Sequence, residues 1–434
     1  MEGTSLTRDI VREELIHMNI QKNILSNGIR LVTQERTNTE AVAFHIYFGC
    51  GGRHEPDGVV GVSHALEHMM FKGTPTRNHL QIAQEMEGVG ATINANTGAE
   101  RTCYLFVAPA EVVPKVLPVY ADAVNSSLLD PQEWEKERQV ILEELKMYED
   151  MPRFVVSDRL ETTMFNLQVG VIGNRETINA IQTEDMRRLM EEWYRPSNAV
   201  ISVAGRLDHD AIRSLADEHF GSRPGDGRSR QWPVLPTKSK KRLCGVVRQT
   251  DQVNLAVGFR AYGMNHPDLP ALRLLNDILG GKMSSRLFEE VREKRGLAYS
   301  IHSRAFRFTD TGYLELKAGV ALDKALEAAR VILGETVRFR DELVTDEELE
   351  SAKKHLRGVL LVHEESGEFA ERNGESWLLE GELRTIEQEL EALDKIGREE
   401  IQQTAKDIFR VENLTAAFVA ERDLSDELDP VLSI

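Results

Sequence analysis

Cysteine is scarce in this chain, and long apolar runs are missing. The 434 residues contain three cysteines, Cys50, Cys103 and Cys244, which are far apart and form no C-x-x-C pair. This pattern indicates neither a disulfide framework nor a thiolate zinc site, so buried free thiols are expected. No run of about 18 apolar residues occurs either, and a membrane-spanning helix needs that length. We therefore expect no part of the chain to cross a membrane.

Positive charge and N-terminal targeting signals are also lacking. Lys and Arg number 53 against 71 Asp and Glu, which leaves a formal net charge of −18. Nucleic acid is not an expected partner, because phosphate binding needs a basic surface. The acidity can serve solubility alone, or it can draw basic peptides to an inner surface. The first residues carry neither a secretory signal nor an Arg-rich transit pattern, so a cytoplasmic location is expected.

The order of the predicted elements repeats along the chain. Gly, Pro and charged residues crowd 221–240 without periodicity, which is typical of a linker. We predict an N-terminal domain at 1–222, a linker at 223–240 and a C-terminal domain at 241–434. Strands and helices follow a similar order in both halves, which indicates an internal duplication. The predicted fold class is α+β, with two homologous-looking α/β-sandwich halves, each a mixed or antiparallel sheet covered by helices.

Local patterns predict the individual elements. Asn27-Gly28 between two apolar runs predicts a β-hairpin with a type I′ turn. Alternation and helical periodicity predict the other elements. The predicted strands are 41–48, 91–97, 102–107, 199–204, 253–259, 298–308, 312–319 and 414–420. The predicted helices are 62–71, 77–87, 183–194, 269–279, 284–294 and 322–340, with further helical structure across 345–408.

One long helix has a well-defined start. Asp130 is a good N-cap, Pro131 fits the first helical position, and Glu133 completes a capping box. The helix should run through Met147 and end before Pro152, because a proline disfavours helical geometry in the residue that precedes it.

The motif with the clearest chemistry is His64-x-x-Glu67-His68. It has the inverted zinc-peptidase order His-x-x-Glu-His. On a helix, residues at i and i+4 share a face, so both imidazoles can hold one zinc ion. Glu67 lies on the same side and can act as a general base toward a water on the metal. The competing interpretation is a half-buried helix that carries two unrelated histidines.

The long helix offers a third ligand. A catalytic zinc takes three protein ligands and leaves one position for water. Glu137, Val140, Ile141 and Glu144 fall on one helical stripe, whereas Glu143 points about 100° away. An acid on a buried face costs free energy unless it is paired or metal-bound. Glu144 as ligand, with Glu137 behind the ligands, meets that requirement; a stripe with merely charged edges remains the alternative.

The chain resembles the inverzincins of the pitrilysin class, peptidase family M16, and is most similar to the β subunit of processing peptidases and to bacterial zinc peptidases. The resemblance covers nearly the whole chain, and the conjunction of its blocks is more specific than any single block. The blocks are Leu25-x-Asn27-Gly28, 61–74, Asn94-Ala95-x-Thr97, Glu137-Arg138 with Glu143-Glu144, Met147-Tyr148-Glu149-Asp150-x-Pro152, and 281–300.

The resemblance implies a set of active-site roles. His64, His68 and Glu144, which lies 76 residues after His68, would bind one Zn²⁺ per chain. Glu67 would be the general base, and Glu137 matches a conserved acid of the ligand helix. An Arg and a Tyr seven residues apart match Arg292 and Tyr299, which would hold the scissile carbonyl and its developing oxyanion.

The resemblance also implies how substrate binds. The segment with Ala91, Asn94 and Ala95 is similar to an edge strand that pairs with the substrate backbone. Processing peptidases that prefer Arg near the cleavage point use two acids after the third ligand. The matching positions here are Phe154 and Asp158, so one acid is missing and a preference for Arg is not expected.

These features predict a zinc metalloendopeptidase that hydrolyses unfolded peptides or presequence-like segments. Family proteases enclose substrate in a chamber of four such domains, and this chain has two. A homodimer is therefore expected, with a heterodimer with a related subunit as the alternative. The rival functions are a non-catalytic scaffold subunit and an enzyme that is active only with a related partner.

Overall fold

The computed structural model describes residues 19–167, 169–223, 234–362 and 365–432. Within these ranges the chain forms strands and helices in the following order, numbered along the chain. The strands are β1 Asn19–Ile24, β2 Arg30–Glu35, β3 Ala41–Phe48, β4 Thr92–Thr97, β5 Thr102–Pro109, β6 Ala199–Gly205, β7 Leu243–Val247, β8 Val253–Ala261, β9 Ala298–Arg307, β10 Gly312–Val320 and β11 Leu414–Ala420. The helices are α1 Val62–Met69, α2 His79–Glu87, α3 Val113–Ser126, α4 Pro131–Glu149, α5 Pro152–Phe165, α6 Arg175–Ala180, α7 Thr183–Trp193, α8 His209–Phe220, α9 Leu269–Leu279, α10 Ala325–Asp341, α11 Asp346–Val362, α12 Ser366–Glu375, α13 Ile386–Asp394, α14 Arg398–Ile408 and α15 Ser425–Leu428.

The strands form two sheets with matching topology. The first has the order β1-β2-β6-β3-β5-β4, and the second has the order β7-β11-β8-β10-β9. In each sheet one parallel pair, β2–β6 or β7–β11, is followed by antiparallel pairs only. Apart from the added β1, the second sheet repeats the first strand by strand. The predicted α+β class and the duplication of the halves are confirmed.

The chain divides into two compact units, and each takes a segment from the other half of the sequence. The first unit is drawn from Met1–Leu142, Val171–Trp232 and His363–Leu383, and the second from Glu143–Gly170, Pro233–Val362 and Arg384–Ile434. Helix α12 packs on β3 and β6 of the first sheet, and helix α5 packs on β8 and β11 of the second. The units therefore differ from the predicted ranges 1–222 and 241–434 in these two exchanged segments. Much of the predicted linker, 224–233, lies outside the described residues.

Burial on both faces explains the apolar sequences of the internal strands β6 and β11. All residues of β6 and β11 are buried, and neither strand alternates between polar and apolar side chains. Both faces of such a strand are covered, which favours a continuous apolar run. In the first core, Phe44 of β3 stacks on Phe106 of β5 with ring centroids 5.3 Å apart. Each sheet is therefore built around an internal strand that is covered on both faces.

The predicted hairpin is present, but its turn is of another type. Ile24 pairs with Arg30, so the connection has five residues rather than two. Gly28 has φ +100°, whereas Asn27 is not among the described residues with positive φ. A type I′ turn needs positive φ at both positions, so that prediction was wrong. The Asn27 side chain instead donates to the Phe220 carbonyl at 2.9 Å, which holds the turn against α8.

Five helices of the described residues were not predicted, and one predicted helix is irregular. The helices without a prediction are α3, α5, α6, α8 and α15. Pro152 follows the end of α4, as predicted, and also occupies the first position of α5. The helix predicted at 284–294 is a short turn that continues as the π-helical segment Phe288–Glu293. Cys50 and Cys103 are buried free thiols, and Cys244 is half-buried. No helix in the described ranges combines the length and apolar character needed to cross a membrane.

Candidate metal centre and active site

Helix α1 carries the motif, and its first turn is held by an acid. Gly61 precedes the helix with φ +100°. The Glu55 carboxylate accepts hydrogen bonds from the Gly61 and Ser63 amides at 2.6 and 2.7 Å. It thereby satisfies N–H groups that have no partner within a helix. Burial raises the pKa of Glu55 to about 7, although the two amide donors act in the opposite direction. No sequence pattern marked Glu55 for this role.

The two motif histidines lie side by side on the outer face of α1. One face of the helix is buried through Val62, Ala65, Leu66 and Met69, whereas His64, Glu67 and His68 are only half-buried. The imidazole centroids lie 4.6 Å apart, with an angle of 74° between the ring planes. Ligand atoms of His64, His68 and Glu144 all lie within 4.8 Å of one another. Two imidazoles and one carboxylate are a donor set that suits zinc.

Helix α4 presents Glu144 rather than its neighbour to this cluster. Glu144 is half-buried. The Glu143 side chain is 78% exposed and lies 3.7 Å from the Lys146 ammonium. Glu144 therefore faces the cluster and Glu143 faces solvent, which is the orientation that the helical stripe predicts. Ile141 is buried as expected, but Val140 is 50% exposed and does not belong to the buried stripe.

Glu137, on the same helix as Glu144, contacts the candidate ligand His68. Its Oε2 lies 3.1 Å from Nδ1 of His68, and its Oε1 pairs with the Lys72 ammonium. A hydrogen bond from Nδ1–H to this carboxylate leaves Nε2 of His68 with its lone pair for a metal. Only 9% of Glu137 is exposed, so the carboxylate is fixed between two donors. Glu137 therefore lies directly behind the candidate ligand His68.

The general-base candidate is hydrogen-bonded to the edge of the first sheet. The Thr97 hydroxyl donates to Oε2 of Glu67 at 2.5 Å. Thr97 ends β4, which pairs with β5 on one side and lies at the end of the sheet among the described strands. Asn94 and Ala95 belong to this strand, whereas Ala91 precedes it and is buried. The predicted strand 91–97 already ends at Thr97, but the contact of Thr97 with Glu67 on the motif helix could not be predicted from the sequence.

The second unit contains the other predicted pair. The Arg292 guanidinium lies 5.7 Å from the Tyr299 ring centroid and 4.7 Å from that of Phe288. Arg292 lies in the π-helical segment, and Tyr299 lies on β9 with 83% of its surface exposed. The chain turns between Arg292 and Tyr299, so these two residues are in contact although they are seven positions apart in the sequence.

The predicted positions after the third ligand lie on α5. Asp158 occupies an exposed position of this helix. Phe154, which stands where an acid was expected, is 44% exposed. Its ring contacts that of Tyr148 edge to face, with centroids 5.5 Å apart.

Comparison with known proteins assigns the chain to a family. Residues 30–172 match the model described as "Insulinase (Peptidase family M16)", and residues 180–356 match "Peptidase M16 inactive domain". The uncharacterized zinc protease YmxG of Bacillus subtilis is 33% identical over 90% of this chain and 96% of its own length. An uncharacterized zinc protease of Mycobacterium tuberculosis (strain ATCC 25618 / H37Rv) is 34% identical over 89% of this chain and 90% of its own.

Solved structures share the fold. A protease from Helicobacter pylori has a TM-score of 0.86 at 22% identity, covering 93% of this chain and 99% of that one. A Pseudomonas fluorescens structure titled as a peptidase M16 inactive domain has a TM-score of 0.87 at 17% identity, covering 94% and 98%. Together the fold, the family models and the relatives define a duplicated chain of the M16 type. The protein belongs to peptidase family M16.

Proposed function

We propose that the protein is a zinc metalloendopeptidase that hydrolyses peptide bonds in unfolded or presequence-like segments, with one zinc ion per chain. The observation that carries the proposal is the convergence of His64, His68 and Glu144, with Glu67 beside the two histidines on the same helix. The proposal is supported by relatives that are named zinc proteases and that match nearly the whole chain. The support from Glu137 behind His68 is what a metal-binding histidine requires.

Each residue of the proposed site has a separate role in the reaction. When bound, the zinc would polarise the scissile carbonyl and lower the pKa of a water toward about 7. Glu67 takes the proton from the attacking water and delivers it to the leaving amine. The Thr97 hydroxyl keeps the Glu67 carboxylate in one orientation. Arg292 holds the substrate carbonyl, and Tyr299 donates to the oxygen on which negative charge develops.

Substrate recognition is proposed to work mainly through the peptide backbone. Strand β4 lies at the sheet edge among the described strands and beside Glu67, and an extended peptide can add to such an edge through its N–H and C=O groups. Asn94 and Ala95 would be the pairing residues. Main-chain pairing is tolerant of side chains, so a loose preference is expected. Phe154 supplies no charge, so Asp158 would be left as the single acid for a basic side chain.

The test compares two acid variants. In Glu67→Gln, zinc content should stay at one ion per chain because no ligand is removed, whereas cleavage of a quenched mixed-peptide library should fall by about 10³-fold or more. Glu143→Gln is the matched control, because Glu143 adjoins a ligand but points into solvent; its activity should match the wild type. Retained activity in Glu67→Gln would remove Glu67 as the base.

A second candidate function is a non-catalytic or partner-dependent subunit. The name of the second family model, which includes the words "inactive domain", favours it for residues 180–356. The same assay separates the candidates. Zinc without cleavage by the purified chain would support this second function, and cleavage that returns only with a related subunit would identify partner dependence. A folded protein that binds no zinc would overturn the metal site itself.

A further inference from the structure

Arg101 joins three elements at the C-terminal end of the proposed substrate strand, β4. It lies just before β5, in the turn that follows β4. Its Nη1 donates to the Asn96 side-chain carbonyl on β4. Its Nε donates to Oε1 of Glu375 on α12 at 2.5 Å, and Nη2 lies 3.5 Å from Glu371 on the same helix. The guanidinium also stands 5.7 Å from the ring centroid of Tyr47 on β3.

These contacts fix geometry more than they add stability. The Arg101 side chain is 16% exposed and that of Glu375 is 34% exposed, so both charges have lost much of their water. The cost of removing that water offsets a large part of the attraction in such a pair. The main contribution of Arg101 is therefore geometric, because the donors of its planar guanidinium point in fixed directions. Here the fork connects a strand, a helix and a sheet face in one arrangement.

The arrangement bears directly on the strand that lies beside the base. Asn96 pairs with Cys103 across β4 and β5, and the next residue, Thr97, donates to Glu67. Among the described strands, β4 has a partner on one side only. A strand with one neighbour frays more easily than an internal strand, because fewer hydrogen bonds hold its backbone. Arg101 braces this strand from the side of the sheet on which α12 lies.

We propose that Arg101 is a positioning residue that holds β4 in register for backbone pairing with an extended peptide, by bracing Asn96 against Glu375 of α12. The peptide is identified by its chemistry: an extended, unfolded segment that supplies main-chain donors and acceptors. The inference rests on the proposed peptidase function. It assigns to α12, which comes from the C-terminal half of the sequence, a role in the substrate site of the first unit.

The test uses the zinc-loaded full chain and two readouts. In Arg101→Met, amide hydrogen exchange over 92–97 should be about 10-fold faster or more, because an opening of the strand costs less free energy. KM for quenched extended peptides should rise about 10-fold, with kcat within about 2-fold, because the loss concerns binding rather than the chemical step. Arg101→Lys should show the same defects, because a single ammonium cannot reproduce the fork.

The control is Arg273→Met, which breaks the ion pair of Arg273 with Glu389 at 2.8 Å within the second unit. It should leave the exchange of 92–97 and KM unchanged. Unchanged exchange in Arg101→Met would overturn the proposal, as would faster exchange with unchanged KM or a KM restored in Arg101→Lys. A wild type without peptidase activity would overturn the proposed function instead, and the exchange data would still decide whether Arg101 holds the strand.

Discussion

At the scale of single residues, the site depends on side chains whose task is to orient other side chains. Glu137 orients His68, Thr97 orients Glu67, and Glu55 holds the start of the helix that carries both. Such supports cannot be found from one short motif, because their partners lie 69, 30 and 6 residues away along the chain. The sequence predicts a role for Glu137 only because this residue shares a helical stripe with Glu144.

Removing the charge of Glu137 should weaken zinc binding. In Glu137→Gln the support of His68 becomes a weaker, neutral hydrogen bond, and the zinc Kd should rise about 10- to 100-fold. Competition with a chelating dye measures this Kd. Glu135→Gln is the control, since Glu135 lies on the same helix with 60% of its side chain exposed and pairs with Arg138 rather than with a ligand. Equal zinc affinity in the two variants would contradict the assigned role.

His45 makes stability depend on pH. Burial lowers the pKa of His45 to about 4, and the nearby Arg101 charge acts in the same direction. The folded protein therefore keeps a neutral imidazole while the unfolded chain takes up a proton below pH about 6.5. Stability from this group is present above pH about 6.5 and is lost as the pH falls toward 4, by about 2–3 kcal/mol between pH 7 and 4.5.

Urea unfolding of the wild type and His45→Gln at pH 7 and pH 4.5 isolates this contribution. The wild type should lose more free energy of unfolding over this interval than the variant does. Equal losses would show that His45 does not titrate differently in the two states. In the folded protein Nδ1 of His45 lies 2.9 Å from the Tyr47 hydroxyl, and glutamine keeps a polar side chain at this position that does not titrate in this pH range.

At the scale of elements, the start of α1 is as constrained as the motif it carries. Gly61 has positive φ, and a Cβ there would lie 2.6 Å from the Ile172 carbonyl oxygen. Both backbone strain and a collision with backbone atoms therefore oppose any side chain at this position. The requirement for glycine involves a segment that is remote in sequence, so local sequence patterns could not reveal it.

Gly61→Ala should destabilise the protein more than Gly28→Ala. Gly28 has the same φ of +100°, but a Cβ there would meet nothing within 4 Å. Gly28→Ala therefore measures the strain alone, about 1–2 kcal/mol. Gly61→Ala adds the collision and should cost roughly 1–3 kcal/mol more, with weaker zinc binding because α1 must shift. Similar unfolding free energies and zinc affinities in the two variants would argue against a constrained helix start.

Elements also differ in how far the sequence predicts them. The bounds of β3, α9 and β11 match the prediction, because each carries a clear apolar pattern between turn residues. Helices α5 and α12 show why the packing partners of some elements could not be predicted. The sheet that each of these helices covers belongs to the other half of the sequence. A pattern of apolar positions indicates that one face of a helix is buried. It does not indicate which sheet that face packs against.

At the scale of the whole molecule, the chain repeats one architecture twice but carries the His-x-x-Glu-His motif once. The resemblance implies a chamber of four such domains, and Arg292 and Tyr299 lie in the same chain as the motif. We therefore expect a homodimer, which would supply the missing domains without another subunit. Sedimentation of the purified chain at micromolar concentration should give about twice the mass of 49.0 kDa. A monomer with full peptidase activity would contradict this expectation.

The sequence alone determined the class of fold and the helix face on which the candidate metal ligands lie. Spacing on a regular helix sets which side chains share a face, so it places His64, His68 and Glu67 on one side of a helix and favours Glu144 over Glu143. Tertiary structure decided which distant groups meet: Thr97 with Glu67, Glu55 with the start of α1, and Arg101 with α12. The physical reason is that helical and strand periodicities act over a few residues, whereas these contacts arise from packing between elements that no local period relates.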